Sequence, residues 1–141
     1  MHEYRYSISL RVRHPSIDPV EITNILQLEP DRCWKSGTER RTPKGRKLEG
    51  FYDETYWSKT ISGESALSSG QVSIEQFLET HITALAQHEH FFERMQEQGG
   101  SSELFVGLFG QRNFGYVLEP KLLGAMAETS LSIAFDVYPT P

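Results

Sequence analysis

"EYRYSISLRVRHPSIDPVEITNILQLEP", Glu3–Pro30, is the stretch whose reading sets the fold. In its first half Tyr4, Tyr6, Ile8, Leu10 and Val12 alternate with Arg5, Ser7, Ser9, Arg11 and Arg13. A period of two puts the first set on one side of a strand and the second on the other, so one face is buried and one is wet. A helix follows at once. Asp18 is its N-cap, Pro19 suits the first helical position, and Glu21 stands at the capping-box position. Ile17 and Ile22 flank the cap as a hydrophobic staple. The helix ends near Leu28, because Glu29 precedes Pro30 and is pushed out of the helical region.

Working outward, Arg32–Ser36 reads as a second strand, and Phe51–Ile61, rich in Tyr, Thr and Trp, as a third. Ser62–Gly70 is a Gly/Ser connector. Ser73, with Gln76 at the capping-box position and Val72 and Phe77 as staple, opens a helix. Ile74, Phe77, Leu78, His81, Ile82, Leu85, Phe92 and Met95 form one stripe at helical spacing, and Gly99-Gly100 ends it. Glu103–Phe109 is a fourth strand with Leu104, Val106 and Leu108 on one face. Gly110–Tyr116 is a loop. Pro120–Glu128 is a short helix with Leu122, Leu123 and Met126 inward, and its expected place is over Phe105 and Phe109. Leu131, Ile133, Phe135 and Val137 alternate in a last strand, which Pro139 stops. The order β-α-β-β-α-β, then α-β, predicts one α+β domain over residues 1–141. Its expected form is a ferredoxin-like (split βαβ) antiparallel sheet with two helices on one face, extended by the short C-terminal helix and strand.

The composition narrows the function. The chain has 141 residues, 38% of them hydrophobic, which suits one globular core. The N-terminal segment alternates rather than forming an apolar run, so no secretory leader is expected, and no run is long enough to span a membrane. Cys33 is the only cysteine, so no intrachain disulfide forms and a cytoplasmic location is expected. His88-Glu89-His90 lacks the second imidazole of H-E-x-x-H, since Phe92 stands four residues after His88. Neither phosphate-cradling glycine motif nor a G-x-S-x-G elbow occurs. Cys33 beside Trp34 reads as a small apolar residue rather than a nucleophile. No catalytic, cofactor or metal residue is assigned, and a non-enzymatic protein is expected.

One charged feature stands out. Arg32–Lys47, RCWKSGTERRTPKGRK, holds seven of the fourteen lysines and arginines, in a chain of net charge −5. With Glu39 the segment carries +6, which leaves −11 elsewhere. Thr42-Pro43-Lys44-Gly45 suits a type I turn, so the segment reads as an exposed hairpin between the second and third strands, with Arg40 facing Lys47. Like charges placed opposite are unfavourable unless solvent or an anion separates them. The candidate interaction surface is Arg32, Trp34, Lys35, Arg40, Arg41, Lys44, Arg46, Lys47 and Trp57. Trp34 and Trp57 are expected as a pair sealing one end of the core, and Gly37 as the point where the chain turns out of the sheet.

Tyr6, Leu10, Asp18-Pro19, Leu28-Glu29-Pro30, Trp34, Gly37 and Trp57-Ser58, with the Ser73–Leu85 helix and the Ile133–Tyr138 strand, are similar to the bacterial domain-of-unknown-function family 4279. The resemblance spans nearly the whole chain and implies a small cytoplasmic bacterial domain with no assigned activity. An immunity-type role is compatible with it. The leading expectation is a domain that binds another protein or forms a homodimer, through a sheet edge or an apolar patch on the last helix. The alternative is an anionic ligand or nucleic acid bound through the basic hairpin.

Overall fold

The alternation of Glu3–His14 becomes strand β1, Arg5–His14, in a computed structural model that describes residues 2–139. Tyr6, Ile8, Leu10 and Val12 are fully buried on one side, while Arg11 and Arg13 lie half-buried on the other. Each such aliphatic side chain contributes roughly 1.5–3 kcal/mol on leaving water. The chain continues through α1 (Pro19–Leu26), β2 (Arg32–Trp34), β3 (Glu39–Arg41), β4 (Lys47–Phe51), β5 (Thr55–Thr60) and β6 (Leu67–Ser68). Then come α2 (Ile74–Leu85), a 3-10 turn at Ala86–His88, α3 (Glu89–Glu97), β7 (Ser101–Gly110), α4 (Pro120–Glu128) and β8 (Ser132–Pro139).

The main sheet runs in the order β2-β5-β1-β7-β8, with β6 paired to the start of β1. β1 is central and antiparallel to both β5 and β7, and β5 is antiparallel to β2. β8 joins outside β7 in parallel, so the sheet is mixed and α4 is the crossover between them. The fold is thus α+β, with its helices on the face that Tyr6, Leu10, Trp57, Leu104 and Val106 also line. Ile22 and Leu26 of α1, Phe77, Leu78 and Ile82 of α2, Phe92 and Met95 of α3, and Met126 of α4 complete that core.

Local chemistry sets the element ends. Asp18 caps α1 by accepting from the Val20 N–H, and Gln27 closes the helix in the left-handed region at φ 57°. Glu21 reaches Arg94 of α3 at 2.8 Å. Ser73 and Gln76 form the reciprocal capping box at the start of α2. His14, buried at the end of β1, accepts the N–H groups of Ser16 and Ile17 on Nδ1. Its Nε2 therefore carries the proton and donates to Gln98 Oε1 at 2.7 Å, which ties β1 to the end of α3.

Several expectations are corrected. The helix from Ser73 is not continuous, since the 3-10 turn re-aims the chain and lets Phe91 as well as Phe92 reach the core. The Gly/Ser connector contains β6. Phe105 and Phe109 do not lie under α4. They alternate with Leu104, Val106 and Leu108 and so face the helix-free side, whereas α4 packs beside α2. Leu123 of α4 is exposed, and only Met126 of that helix is fully inward.

Candidate interaction surface

The basic segment begins on β2 and leaves the sheet at Gly37, whose φ of 81° is the left-handed geometry a side chain would resist. It then forms a separate two-stranded ribbon of β3 and β4. Thr42 closes the tip, accepting the Gly45 N–H at 2.8 Å, which fits the expected turn. The register differs by one from the expected one. A bulge between Glu39 and Arg41 places Arg41, not Arg40, opposite Lys47. Glu39 lies between the two cations, at 3.3 Å from Arg41 and 3.2 Å from Lys47. It supplies the anion that two opposed positive charges require.

Tyr52 fastens the ribbon at its root. Its hydroxyl accepts the Arg41 N–H and donates to the Arg41 carbonyl, each at 3.1 Å. Its ring stacks on Trp34 with centroids 4.3 Å apart, and Trp34 stacks in turn on Tyr56 at 4.6 Å. The guanidinium of Arg32 lies 5.0 Å from the Trp34 ring, and that of Arg13 lies 5.2 Å from the Tyr56 ring. These contacts are cation–π pairs, and Arg13 is in addition ion-paired with Glu54 and Glu103, each at 3.6 Å. Phe51 stands beside this stack, 64% exposed.

The two tryptophans do not pair. Cys33, not Trp34, is opposite Trp57, so Trp34 and Trp57 project to opposite faces of the sheet. Trp57 is fully buried and donates from Nε1 to the Thr23 hydroxyl at 3.0 Å, anchoring α1. Trp34 remains half-buried on the outside. Of the nine sequence-selected residues, Trp57 therefore belongs to the core. Lys35, Arg40, Arg41, Lys44, Arg46 and Lys47 are exposed on and beside the ribbon, and Arg32 and Trp34 sit at its base.

Two clefts flank the ring stack. The larger, about 780 Å³, lies between the β2 edge and the ribbon and is lined by Arg32, Trp34, Arg41 and Tyr52, among others. The smaller, about 550 Å³, includes Arg40, Phe51 and Glu54. Both are open, and acidic side chains share them: Asp31 and Glu39 in the first, Asp53 and Glu54 in the second. Asp31 is exposed but already engaged. Its carboxylate accepts the Thr60 N–H at 2.6 Å, which with Lys59 at 3.4 Å holds its pKa below the usual range despite partial burial. Cys33 is exposed at the sheet margin, yet burial of its sulfur, followed by the charges of Asp18 and Glu29, pushes the thiol pKa up.

The helix-free sheet face continues this surface. Arg11 lies 3.6 Å over the Phe105 ring, Glu103 sits 3.8 Å from Arg11 and 3.6 Å from Arg13, and Phe109 stacks on Tyr138. Tyr52, Tyr56 and Arg13 were not among the sequence-selected residues. The signal for Tyr56 was present, because alternation in TYWSKT puts it on the face away from Trp57. The bulge and the ribbon fold-back that bring in Tyr52 leave no such pattern. His81 proves a satisfied side chain, its Nδ1 bonded to the Phe77 carbonyl at 2.9 Å and its ring stacked on Phe77. Among the described residues, no group of three or more His, Cys, Asp or Glu is placed to hold a metal ion, and no helix is long and apolar enough to cross a membrane.

These features define an α+β domain with an exposed, cation-rich aromatic surface. The chain belongs to the DUF4279 family, described as a domain of unknown function, whose profile matches residues 2–140. Comparison with curated proteins and with solved structures gives no match.

Proposed function

We propose that this chain is a non-enzymatic binding domain whose working surface is the β3–β4 ribbon and the ring stack at its root, and that its partner is another protein with an acidic face. The carrying observation is the Tyr52–Trp34–Tyr56 stack, half-buried, with Arg32 and Arg13 against its rings and exposed cations beside it. Trp, Tyr and Arg dominate the energetic centres of protein interfaces, because they bury large area with few rotatable bonds and keep a polar handle. Clefts that mix Arg32 and Arg41 with Asp31 and Glu39 suit a polypeptide, which offers both signs of charge, better than a uniform polyanion.

A second reading is binding of an anionic ligand or nucleic acid through the same basic hairpin. It is favoured by the guanidiniums and rings of the helix-free face, where bases would stack. A further partner choice is a second copy of the chain. The split βαβ frame belongs to the same inference and is supported by the order β7-β1-β5-β2, four strands each antiparallel to its neighbours, with β8 outside them. So does the cytoplasmic location expected from a lone cysteine.

The test compares the wild-type chain with the variant in which Arg40, Arg41, Arg46 and Lys47 are all Ala, in affinity purification from its own host and in titration with a single-stranded oligonucleotide. The reading expects an acidic protein recovered with the wild type and lost with the variant, and little oligonucleotide binding at physiological salt. Equal recovery with both would remove the ribbon from the interface. Tight, steeply salt-dependent oligonucleotide binding would replace the protein partner with nucleic acid.

A further inference from the structure

The two outer strands of the main sheet differ sharply. β2 has three residues and the ribbon rises beside it, whereas β8 has eight and, among the described residues, no strand pairs with its outer edge. A free edge of that length leaves a row of backbone N–H and C=O groups without partners, and monomeric proteins usually guard it with lysine, an inward-pointing charge, a bulge or proline. β8 has almost none of these. Its one charged residue, Asp136, points to the helix-free side, where it accepts a hydrogen bond from the Tyr138 hydroxyl. Pro139 stands only at the end. On the helix side the edge shows Phe135 (39% exposed) and Val137 (59% exposed). Tyr116, whose ring lies 5.5 Å from Phe135, leads directly to exposed Val117.

We propose that β8 is a self-association edge, where two copies of this chain pair antiparallel about a two-fold axis with Phe135 opposite Phe135, joining their sheets into one. The second copy is the occupant for two reasons. The other free edge of the sheet, β2, is too short to match β8, so among the described residues β8 itself is the only long free sheet edge that a second copy could pair with. The sequence of β8 is also self-complementary in this register. An antiparallel two-fold opposes residues that share a face, so the central residue must face itself. Centred on Phe135, Ile133 meets Val137 of the other copy on the helix side, and Ala134 meets Asp136 on the open side. Moving the centre to Asp136 would oppose two carboxylates, which is unfavourable. Isologous pairing of this kind closes on itself and stops at a dimer.

This inference deepens the second-copy option named above, yet it uses the sheet edge remote from the ribbon, so the two fail independently. The experiment is light scattering on the eluting full-length protein across a concentration series, for wild type, Val137→Lys and Phe135→Lys, with circular dichroism confirming that each is folded. Val137 is the more exposed position and keeps the test valid where the Phe135 change disturbs Tyr116. The wild type is expected at twice the 16.1 kDa of one chain, and the lysine variants at one chain. In a Cys33→Ser background, Phe135→Cys is expected to form an intermolecular disulfide on mild oxidation, since opposed residues bring their Cβ atoms close together. A wild-type monomer at every concentration overturns the proposal. So does a dimer that survives Val137→Lys in the folded protein.

Discussion

Removing one hydroxyl from the core, by Tyr6→Phe, should change how stability depends on alkaline pH. Tyr6 is fully buried on β1, its ring edge-on to Phe77, and its hydroxyl donates to the Val72 carbonyl at 2.7 Å. Burial, with lesser contributions from Tyr4 and Glu75, pushes its pKa up to about 12 from 10.0. The folded chain therefore holds this proton over a range in which the unfolded chain has released it. The stabilisation is complete below the unfolded value and is lost as the pH rises toward the folded one. A difference of about two units corresponds to about 2.7 kcal/mol at 1.36 kcal/mol per unit, of which about 2 kcal/mol is gone by pH 12. At about pH 8 the variant should be less stable by about 1 kcal/mol, because the Val72 carbonyl loses its donor. By about pH 12 it should be the more stable of the two, by about 1 kcal/mol. The curves should cross. Tyr4 and Tyr116, also raised by burial, keep their contributions in both proteins and cancel in the comparison. Urea unfolding followed by far-ultraviolet circular dichroism, at steps between those pH values, measures both curves. A gap that stays constant with pH would refute the placement of the Tyr6 hydroxyl in a water-free site.

The tryptophans should separate cleanly. Trp57→Ala is expected to cost about 3–5 kcal/mol of unfolding free energy, as a fully buried ring with a bonded indole N–H, while Trp34→Ala should cost roughly 1 kcal/mol through its lost ring contacts. Equal losses in denaturant titrations would contradict the assignment of one ring to the core and one to the surface. Cys33 should react with iodoacetamide at about pH 8 more slowly than an unstructured cysteine peptide, because a raised thiol pKa lowers the thiolate fraction. Faster alkylation would contradict the raised thiol pKa and make Cys33 a candidate nucleophile.

Much of the frame was legible because it rests on short-range periodicity. Tyr4 to Val12 and Leu104 to Leu108 alternate over five and three positions, and Ser73 with Gln76 announces a helix start that the backbone obeys. The partners of those elements were not legible. That Cys33 rather than Trp34 opposes Trp57 depends on pairing register between segments separated by the ribbon, and a one-residue slip exchanges the faces. The same is true of the bulge at Glu39–Arg41, which exchanges Arg40 for Arg41 opposite Lys47. The candidate surface was half legible for a related reason. Charge clustering in Arg32–Lys47 is visible in any sequence, whereas the ring stack that roots it gathers Trp34, Tyr52 and Tyr56 from three places. The parallel addition of β8 was likewise hidden, since edge position is a property of the whole sheet.

The proposed surface sets cations around an accessible aromatic stack, so negatively charged groups should be drawn to the root of the ribbon. Trp34 reports on it directly, because the only other tryptophan, Trp57, is out of reach of solvent. Quenching of tryptophan emission by iodide and by caesium, compared at equal ionic strength, measures the sign of the local potential. Iodide should quench the accessible fraction more strongly than caesium. This preference should shrink when Arg40, Arg41, Arg46 and Lys47 are all Ala. Equal quenching by the two ions, or a preference for caesium, would contradict it.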